Sequence, residues 1–164
     1  MQPTHLPSTL LLLGLCLLPA CSSYAPPDGL TGMTREAVVA HMGKPDSERR
    51  IGTDTRLEFP TGPYGKQTWF IDFDAAGRAS RAEQVLTEAN FQRVNVGMAQ
   101  DDLRQLLGRP SEVYTLGRGR GVVWNYRYEN YVCLWFQVEL SIDKLVRSAG
   151  NGPLPECNPR HHDR

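Results

Sequence analysis

Few side chains in this sequence have the chemistry and the spacing that catalysis or metal binding requires. Of its four histidines, only His41 lies away from the two ends of the chain, and no nucleophile-elbow motif lies near it. Asp72 and Asp74 project to the same side of a predicted strand, as expected of a solvated face rather than of an acid–base pair. Cys133 and Cys157 lack the CxxC spacing of zinc and thioredoxin-like sites. The sequence therefore predicts no catalytic residue, no metal site, no cofactor and no small-molecule substrate.

The charges of the chain argue against two classes of protein. Eighteen basic and eighteen acidic side chains give the 164 residues a formal net charge of zero. This balance argues against a generic nucleic-acid binder and against a protein with a strongly acidic tail. The first 27 residues carry no Asp, Glu, Lys or Arg, so every charge lies from Asp28 onward. An uncharged leader is thus joined to a charge-dense remainder.

Residues 1–20 have the pattern of a secretory signal peptide. Their apolar core, residues 10–18, is too short to cross a bilayer as a helix, which takes about 20 residues. The leader ends in Leu18-Pro19-Ala20-Cys21, which resembles the lipobox of bacterial lipoproteins. This resemblance implies that Cys21 becomes the N-terminus and carries a diacylglyceryl thioether and an acyl chain such as palmitate. The alternative is an ordinary cleaved signal peptide that leaves Cys21 unmodified.

Residues 21–29 would then be a lipidated tether. In Gram-negative lipoproteins, a residue other than Asp after the cysteine directs export to the outer membrane, and Ser22 occupies that position. The eight residues 22–29 could span at most about 25 Å. We therefore expect a protein anchored at the periplasmic face of the outer membrane, with its folded part close to the bilayer.

The remaining cysteines suit a structural role. In an oxidising periplasm an even pair predicts one disulfide, between Cys133 and Cys157. That bond would hold residues 150–158 against the strand that contains Cys133. Two unpaired thiols are the alternative that the sequence leaves open.

The folded region contains an internal repeat. Residues 32–45 align without gaps with residues 97–110, at an offset of 65, and both copies read Gly-Met, an amphipathic stretch, then Gly-basic-Pro. Each copy predicts a short helix that ends at Gly43 or Gly108, because glycine followed by proline stops a helix. The predicted buried stripes are Val38, His41 and Met42 in the first copy, and Leu103, Leu106 and Leu107 in the second.

Period-two patterns after each helix predict antiparallel strands. The first copy predicts strands at 47–51, 55–59, 66–74 and 79–86, and the second at 112–116, 122–128, 131–141 and 144–148. An offset of 67 keeps the apolar residues of equivalent strands on one face, and we expect the two repeats to share one sheet. Around Glu129 and Asn130 the register stays open between a two-residue hairpin and a longer or bulged loop.

The second repeat supplies a candidate interaction surface. Arginine and aromatic residues are enriched in protein interfaces, and several of both kinds are predicted on or near the open sheet face. They are Arg118, Arg120, Arg127, Tyr131 and Trp135. An ordinary solvated sheet face is the alternative.

The repeated phrases resemble the SmpA/OmlA domain of BamE-type outer-membrane lipoproteins. Gly-Met-Thr, a helix ending in Gly-Lys-Pro, and the phrase at residues 138–146 carry the resemblance. It implies an α+β fold of two tandem helix-plus-antiparallel-sheet units of the ααβββ type. Each unit would have helices on one face of a three-stranded sheet, as in β-lactamase inhibitor protein. Residues 30–86 would form the first, abbreviated unit, residues 87–149 the second, with residues 87–93 as its first helix, and residues 150–164 a Pro-rich polar tail.

The function that this resemblance implies is non-enzymatic. A BamE-like protein would be a scaffold or accessory factor in outer-membrane protein assembly, with subunits of the assembly machinery as partners and no nucleic acid. The alternative is a periplasmic binding or inhibitor module similar to β-lactamase inhibitor protein.

Overall fold

The computed structural model describes residues 24–157. The predicted signal peptide, the predicted lipidation site Cys21 and the C-terminal residues 158–164 lie outside the described residues.

The described chain is α+β, with two four-stranded antiparallel sheets and three short helices. Each sheet has its strands in chain order, β1-β2-β3-β4 and β5-β6-β7-β8. The helices are α1 (Arg35–Met42), α2 (Glu88–Phe91) and α3 (Gln100–Leu107). The strands are β1 (Ser47–Ile51), β2 (Asp54–Thr61), β3 (Gln67–Phe73), β4 (Ala79–Gln84), β5 (Glu112–Leu116), β6 (Gly121–Arg127), β7 (Leu134–Leu140) and β8 (Val146–Pro153).

The strand predictions are confirmed in number and nearly in position. The expected offset of 67 holds in the register, because Leu57 pairs with Ile71 and Trp124 pairs with Val138. The single shared sheet was wrong, and so was the three-stranded sheet implied by the resemblance. Strand β8 continues to Pro153, so four residues expected in the tail belong to the second sheet.

Local signals explain the bounds of the two longer helices. The Thr34 hydroxyl accepts a hydrogen bond from the Ala37 N–H at 3.3 Å, which caps the start of α1. Both helices end at a glycine with positive φ, 86° at Gly43 and 76° at Gly108. The stripe predicted for α1 was partly wrong, because His41 is exposed, whereas Val38 and Met42, together with Val39, pack in the apolar core.

The apolar core consists of two clusters. In the first, Val38 of α1 packs with Leu57 and Ile71 of the first sheet. In the second, Leu103 and Leu107 of α3 pack with apolar side chains of the second sheet. Phe70 of β3, on the opposite face of the first sheet, also belongs to this second cluster. Helix α3 therefore lies against both sheets.

A buried carboxylate fixes α3 to the first sheet. Glu58, only 1% exposed, accepts hydrogen bonds from Arg104 Nη1 at 2.9 Å and from the Arg109 backbone N–H at 2.6 Å through Oε1. Its other oxygen accepts from the Ser47 hydroxyl at 2.7 Å. Asp46 adds an ion pair to Arg109 at 2.5 Å. These contacts satisfy a charge that would otherwise be costly to bury.

Glu58 should make stability depend on pH. Burial raises the pKa of its carboxyl above the ordinary 4.5, against the hydrogen bond from Ser47 and the charge of Arg104. The folded state therefore binds this proton more tightly than the unfolded state, so the stabilisation is full below 4.5 and is lost as the pH rises through the folded pKa. Relative to a Glu58→Gln variant, which cannot ionise, the native protein should lose unfolding free energy as the pH rises from 4.5 through the folded pKa of Glu58. Urea denaturation of both proteins across the range measures this difference, and a constant difference would contradict the raised pKa.

Candidate interaction surface

The loop between β6 and β7 is longer than a two-residue hairpin. Arg127 pairs with Trp135 and Tyr126 pairs with Phe136, which leaves six residues between the strands. Asn130 organises this loop, because its side chain donates to the carbonyls of Tyr128 and Leu134 and accepts from the N–H groups of Val132 and Leu134. The longer-loop alternative is therefore the one that the structure adopts, and it keeps Trp124, Tyr126 and Phe136 in one core.

A disulfide ties this loop to the C-terminal segment. Cys133 is bonded to Cys157, with the two Cα atoms 6.3 Å apart and 24 positions apart in the chain. The Leu154 N–H also donates to the Cys133 carbonyl at 3.0 Å. Residues 154–157 are thereby held beside the start of β7.

Removal of the disulfide should lower stability. The bond closes a loop of 24 residues, for which chain entropy predicts a stabilisation of roughly 3 kcal/mol. We expect the Cys133→Ser/Cys157→Ser double variant to lose about that much unfolding free energy in urea denaturation. Reduction of the native protein should reproduce the loss, and equal stability with and without reductant would contradict the prediction.

Arg127 is held in an ion-pair network. Its side chain, 13% exposed, donates from Nε at 3.1 Å and from Nη2 at 2.7 Å to Glu112 Oε1, and from Nη1 to Glu156 Oε1. The hydrogen bonds from Arg127 lower the pKa of both carboxyls, and the bond to Glu156 raises the pKa of the guanidinium. Arg127 therefore links β5, β6 and the C-terminal segment, and its charge is paired with two carboxylates.

Trp135 lies on the predicted face of the sheet but is covered. Its side chain is only 4% exposed, with the Arg127 guanidinium 5.7 Å from its ring and the Tyr114 ring centroid 6.2 Å away. Its indole Nε1 has no hydrogen-bond partner among residues 24–157. Arg127 and Tyr114 therefore cover the ring of this candidate surface residue.

Two of the predicted arginines lie at the end of the second sheet opposite the loop between β6 and β7. Arg118 and Arg120 occupy the turn between β5 and β6, and both are exposed. The turn is compact, since Arg120 Nε donates to the Gly117 carbonyl at 3.1 Å. Strand β6 separates this turn from the loop that carries Tyr131, a span of about 20 Å for seven residues. The five predicted residues therefore do not form one surface.

Tyr131 keeps the exposed position that an interaction surface requires. It is fully exposed, and so in large part is Val132 beside it. The loop joins the first sheet through a 2.9 Å hydrogen bond from Gln67 Nε2 to Glu129 Oε1. The loop between β6 and β7 therefore lies next to the end of the first sheet that carries the turn between β2 and β3.

Tyr64 belongs to this surface and was missed by the sequence interpretation. It lies in the turn between β2 and β3, 79% exposed, and the Arg127 guanidinium is 5.8 Å from its ring. The turn reads Gly-Pro-Tyr-Gly, a composition that places a side chain at an exposed loop tip. That signal could have identified the residue.

The two Gly-basic-Pro motifs meet at the same end of the molecule. Lys44, Arg109 and Tyr64 line one cleft of about 540 Å³. Three prolines also line it: Pro45, Pro60 and Pro110. Arg109 is paired with Asp46 across this cleft. The cleft is shallow and polar.

Metal-binding clusters and membrane-spanning helices are both absent from the described part of the chain. Residues 24–157 contain no group of three or more His, Cys, Asp or Glu side chains placed to hold a metal ion. None of their helices has the length and apolar character needed to cross a membrane.

Comparison with known proteins gives distant structural similarities. No family model and no curated protein matches the chain. A DUF4309 family protein (YjgB) from Bacillus subtilis is similar with a TM-score of 0.31 and 18% identity, over 77% of this chain and 84% of that chain. An extracellular protein containing a SCP domain from Bacillus anthracis is similar with a TM-score of 0.32 and 10% identity, over 80% of this chain and 46% of that one. Neither is described as an SmpA/OmlA protein, so the resemblance drawn from the sequence stays a proposal.

Proposed function

We propose that this protein is a lipid-anchored, non-enzymatic scaffold at the periplasmic face of the outer membrane, acting as an accessory factor in outer-membrane protein assembly. The observation that carries the proposal is the lipobox-like Leu18-Pro19-Ala20-Cys21 directly before the folded body. Acyl chains on Cys21 would contribute about 0.8 kcal/mol per buried CH₂ group, and two or more chains anchor a protein stably.

Tandem SmpA/OmlA-like units are part of the proposal. Support comes from the offset of 67, which relates the Leu57–Ile71 and Trp124–Val138 strand pairs. It also comes from α1 and α3, which begin and end at equivalent residues and each contribute to the apolar cluster of the sheet that follows. In this interpretation, α2 is the additional helix of the second unit.

The proposed partner surface is the end of the second sheet that carries the turn with Arg118 and Arg120. The turn between β7 and β8 lies at the same end and exposes Ile142 and Leu145. Exposed aliphatic side chains next to arginines are a combination that protein interfaces use. Here we define this group of four residues as the arginine end.

Deletion and capture test the proposed function. Deletion of the gene should lower the amount of β-barrel proteins in the outer membrane, and capture of the tagged protein should recover subunits of the assembly machinery. The Arg118→Glu/Arg120→Glu variant should lose that capture, because charge reversal disrupts an arginine-based interface. The control is Arg50→Glu, which changes an exposed arginine on β1.

The outcomes separate the two functions that the sequence supports. Normal barrel levels together with no recovered assembly subunit would overturn the scaffold proposal. Capture of one soluble hydrolase whose activity is lost in the complex would instead support a periplasmic inhibitor module.

A further inference from the structure

The first described residues fix where the N-terminal chain leaves the folded body. The Thr61 hydroxyl donates to the Tyr24 carbonyl at 2.9 Å, and Thr61 is the last residue of β2. Tyr24 follows Cys21 by three residues, a stretch that can span at most about 10 Å. The folded body therefore begins much nearer to Cys21 than a tether of eight residues would place it. The loop end of the first sheet is the part of the body closest to that cysteine.

Exposed aromatic side chains are concentrated at this same end. Tyr24 is about half exposed, Tyr64 more so, and Tyr131 fully exposed with Val132 next to it. They belong to three separate segments that converge here. The bond from Thr61 to Tyr24 and the bond from Gln67 to Glu129 join these segments.

Tyrosine is suited to the boundary between lipid and water. Its ring is apolar while its hydroxyl retains hydrogen bonds to water or headgroups, which is why tyrosines are enriched at membrane interfaces. The charges at this end are mixed: acidic Glu129 and Glu156 lie here with basic Lys44 and Lys66, and Arg109 is paired with Asp46. We therefore expect the tyrosines to contact the bilayer interface. Because charges of both signs lie beside them, this contact does not require anionic lipid.

We propose that Tyr24, Tyr64, Tyr131 and Val132, defined here as the tyrosine end, rest in the lipid–water interface of the membrane that holds Cys21. This inference rests on the proposed lipid anchor and adds an orientation to it. The arginine end then points away from the bilayer, with strand β6 between the two. In this orientation the strands of the second sheet run away from the membrane surface, and Ile142 faces the periplasm.

Photo-crosslinking to lipid tests the orientation. The protein purified from the membranes of cells that express the whole sequence is reconstituted in phosphatidylcholine vesicles with p-benzoylphenylalanine at position 64, 131 or 142. Vesicle flotation reports whether the protein is anchored, and mass spectrometry of the protein reports phospholipid adducts. Positions 64 and 131 should form adducts several-fold more often than position 142, the matched exposed site at the arginine end.

Each outcome separates the orientation from the anchor. If the protein does not float with the vesicles, the lipid anchor is wrong and the orientation falls with it. If it floats but position 142 forms adducts as often as positions 64 and 131, the anchor stands and the orientation is wrong. Crosslinks from positions 64 and 131 to protein in place of lipid, in membranes of producing cells, would also overturn the orientation and assign the tyrosine end to a protein partner.

Discussion

Replacement of Cys21 by serine is expected to transfer the protein from the membrane fraction to the soluble periplasmic fraction. A serine cannot form the thioether that carries the acyl chains, and each buried CH₂ group of those chains contributes about 0.8 kcal/mol to membrane binding. The aromatic contacts of the tyrosine end are too few to hold the protein on the bilayer without them. Fractionation followed by immunoblotting measures the distribution.

The chain offers a matched control for this prediction. Cys16 lies in the predicted signal peptide and would be removed with it, so Cys16→Ser should leave the protein in the membrane fraction. Membrane retention of a Cys21→Ser protein from which the leader has been removed would show that the acyl interpretation is wrong. Release by both substitutions would point to a defect in export.

The second large effect is expected at Gly108. Its φ is +76°, and an added Cβ would lie 2.8 Å from Glu58 Oε1 and 2.9 Å from Thr68 Cγ2. Neither neighbour can move freely, because Glu58 is held by Arg104 and Ser47, and Thr68 is buried. Backbone strain of about 1–3 kcal/mol in this glycine-only region and overpacking of about 1–3 kcal/mol should add, so Gly108→Ala should lose about 2–6 kcal/mol of unfolding free energy.

Gly43 is the internal control for that measurement. It occupies the equivalent position of the first repeat with a φ of +86°, and nothing lies within 4 Å of its added Cβ. Gly43→Ala should therefore cost only the backbone strain of about 1–3 kcal/mol. Urea denaturation of both variants isolates the contact between α3 and the first sheet. Equal losses at the two glycines would contradict the close packing at Gly108.

The two glycines also show how far the sequence predicts the structure. Their place in the repeat predicts a helix end with positive φ at both, and that prediction is confirmed. The difference between them arises because Gly108 meets Glu58 and Thr68 of a sheet that is far away in the chain, while Gly43 meets nothing. The sequence pattern is the same at both positions, so only the packing separates them.

Arg127 and Trp135 show the same limit for the candidate surface. Alternation along β6 and β7 places both side chains on the face opposite the core, as the register confirms. Alternation does not show that they are covered: Glu112 and Glu156 enclose the arginine, and Glu156 is brought there by the segment that the disulfide holds. The face of the second sheet that lies opposite the core is therefore covered in part by the C-terminal segment, which follows that sheet in the chain.

The sequence by itself determined the elements: the ends of α1 and α3, the eight strands, and the offset of 67 that relates equivalent strand pairs. These follow from capping residues, glycine and proline stops, and period-two alternation, which act over a few neighbouring residues. Only the tertiary structure decided that the strands form two sheets, that α3 lies against both, and that Glu58 is buried. It also decided that Tyr24, Tyr64 and Tyr131 share one end. Burial and convergence depend on which distant segments pack together, and residues so far apart in the chain carry no local signal of that contact.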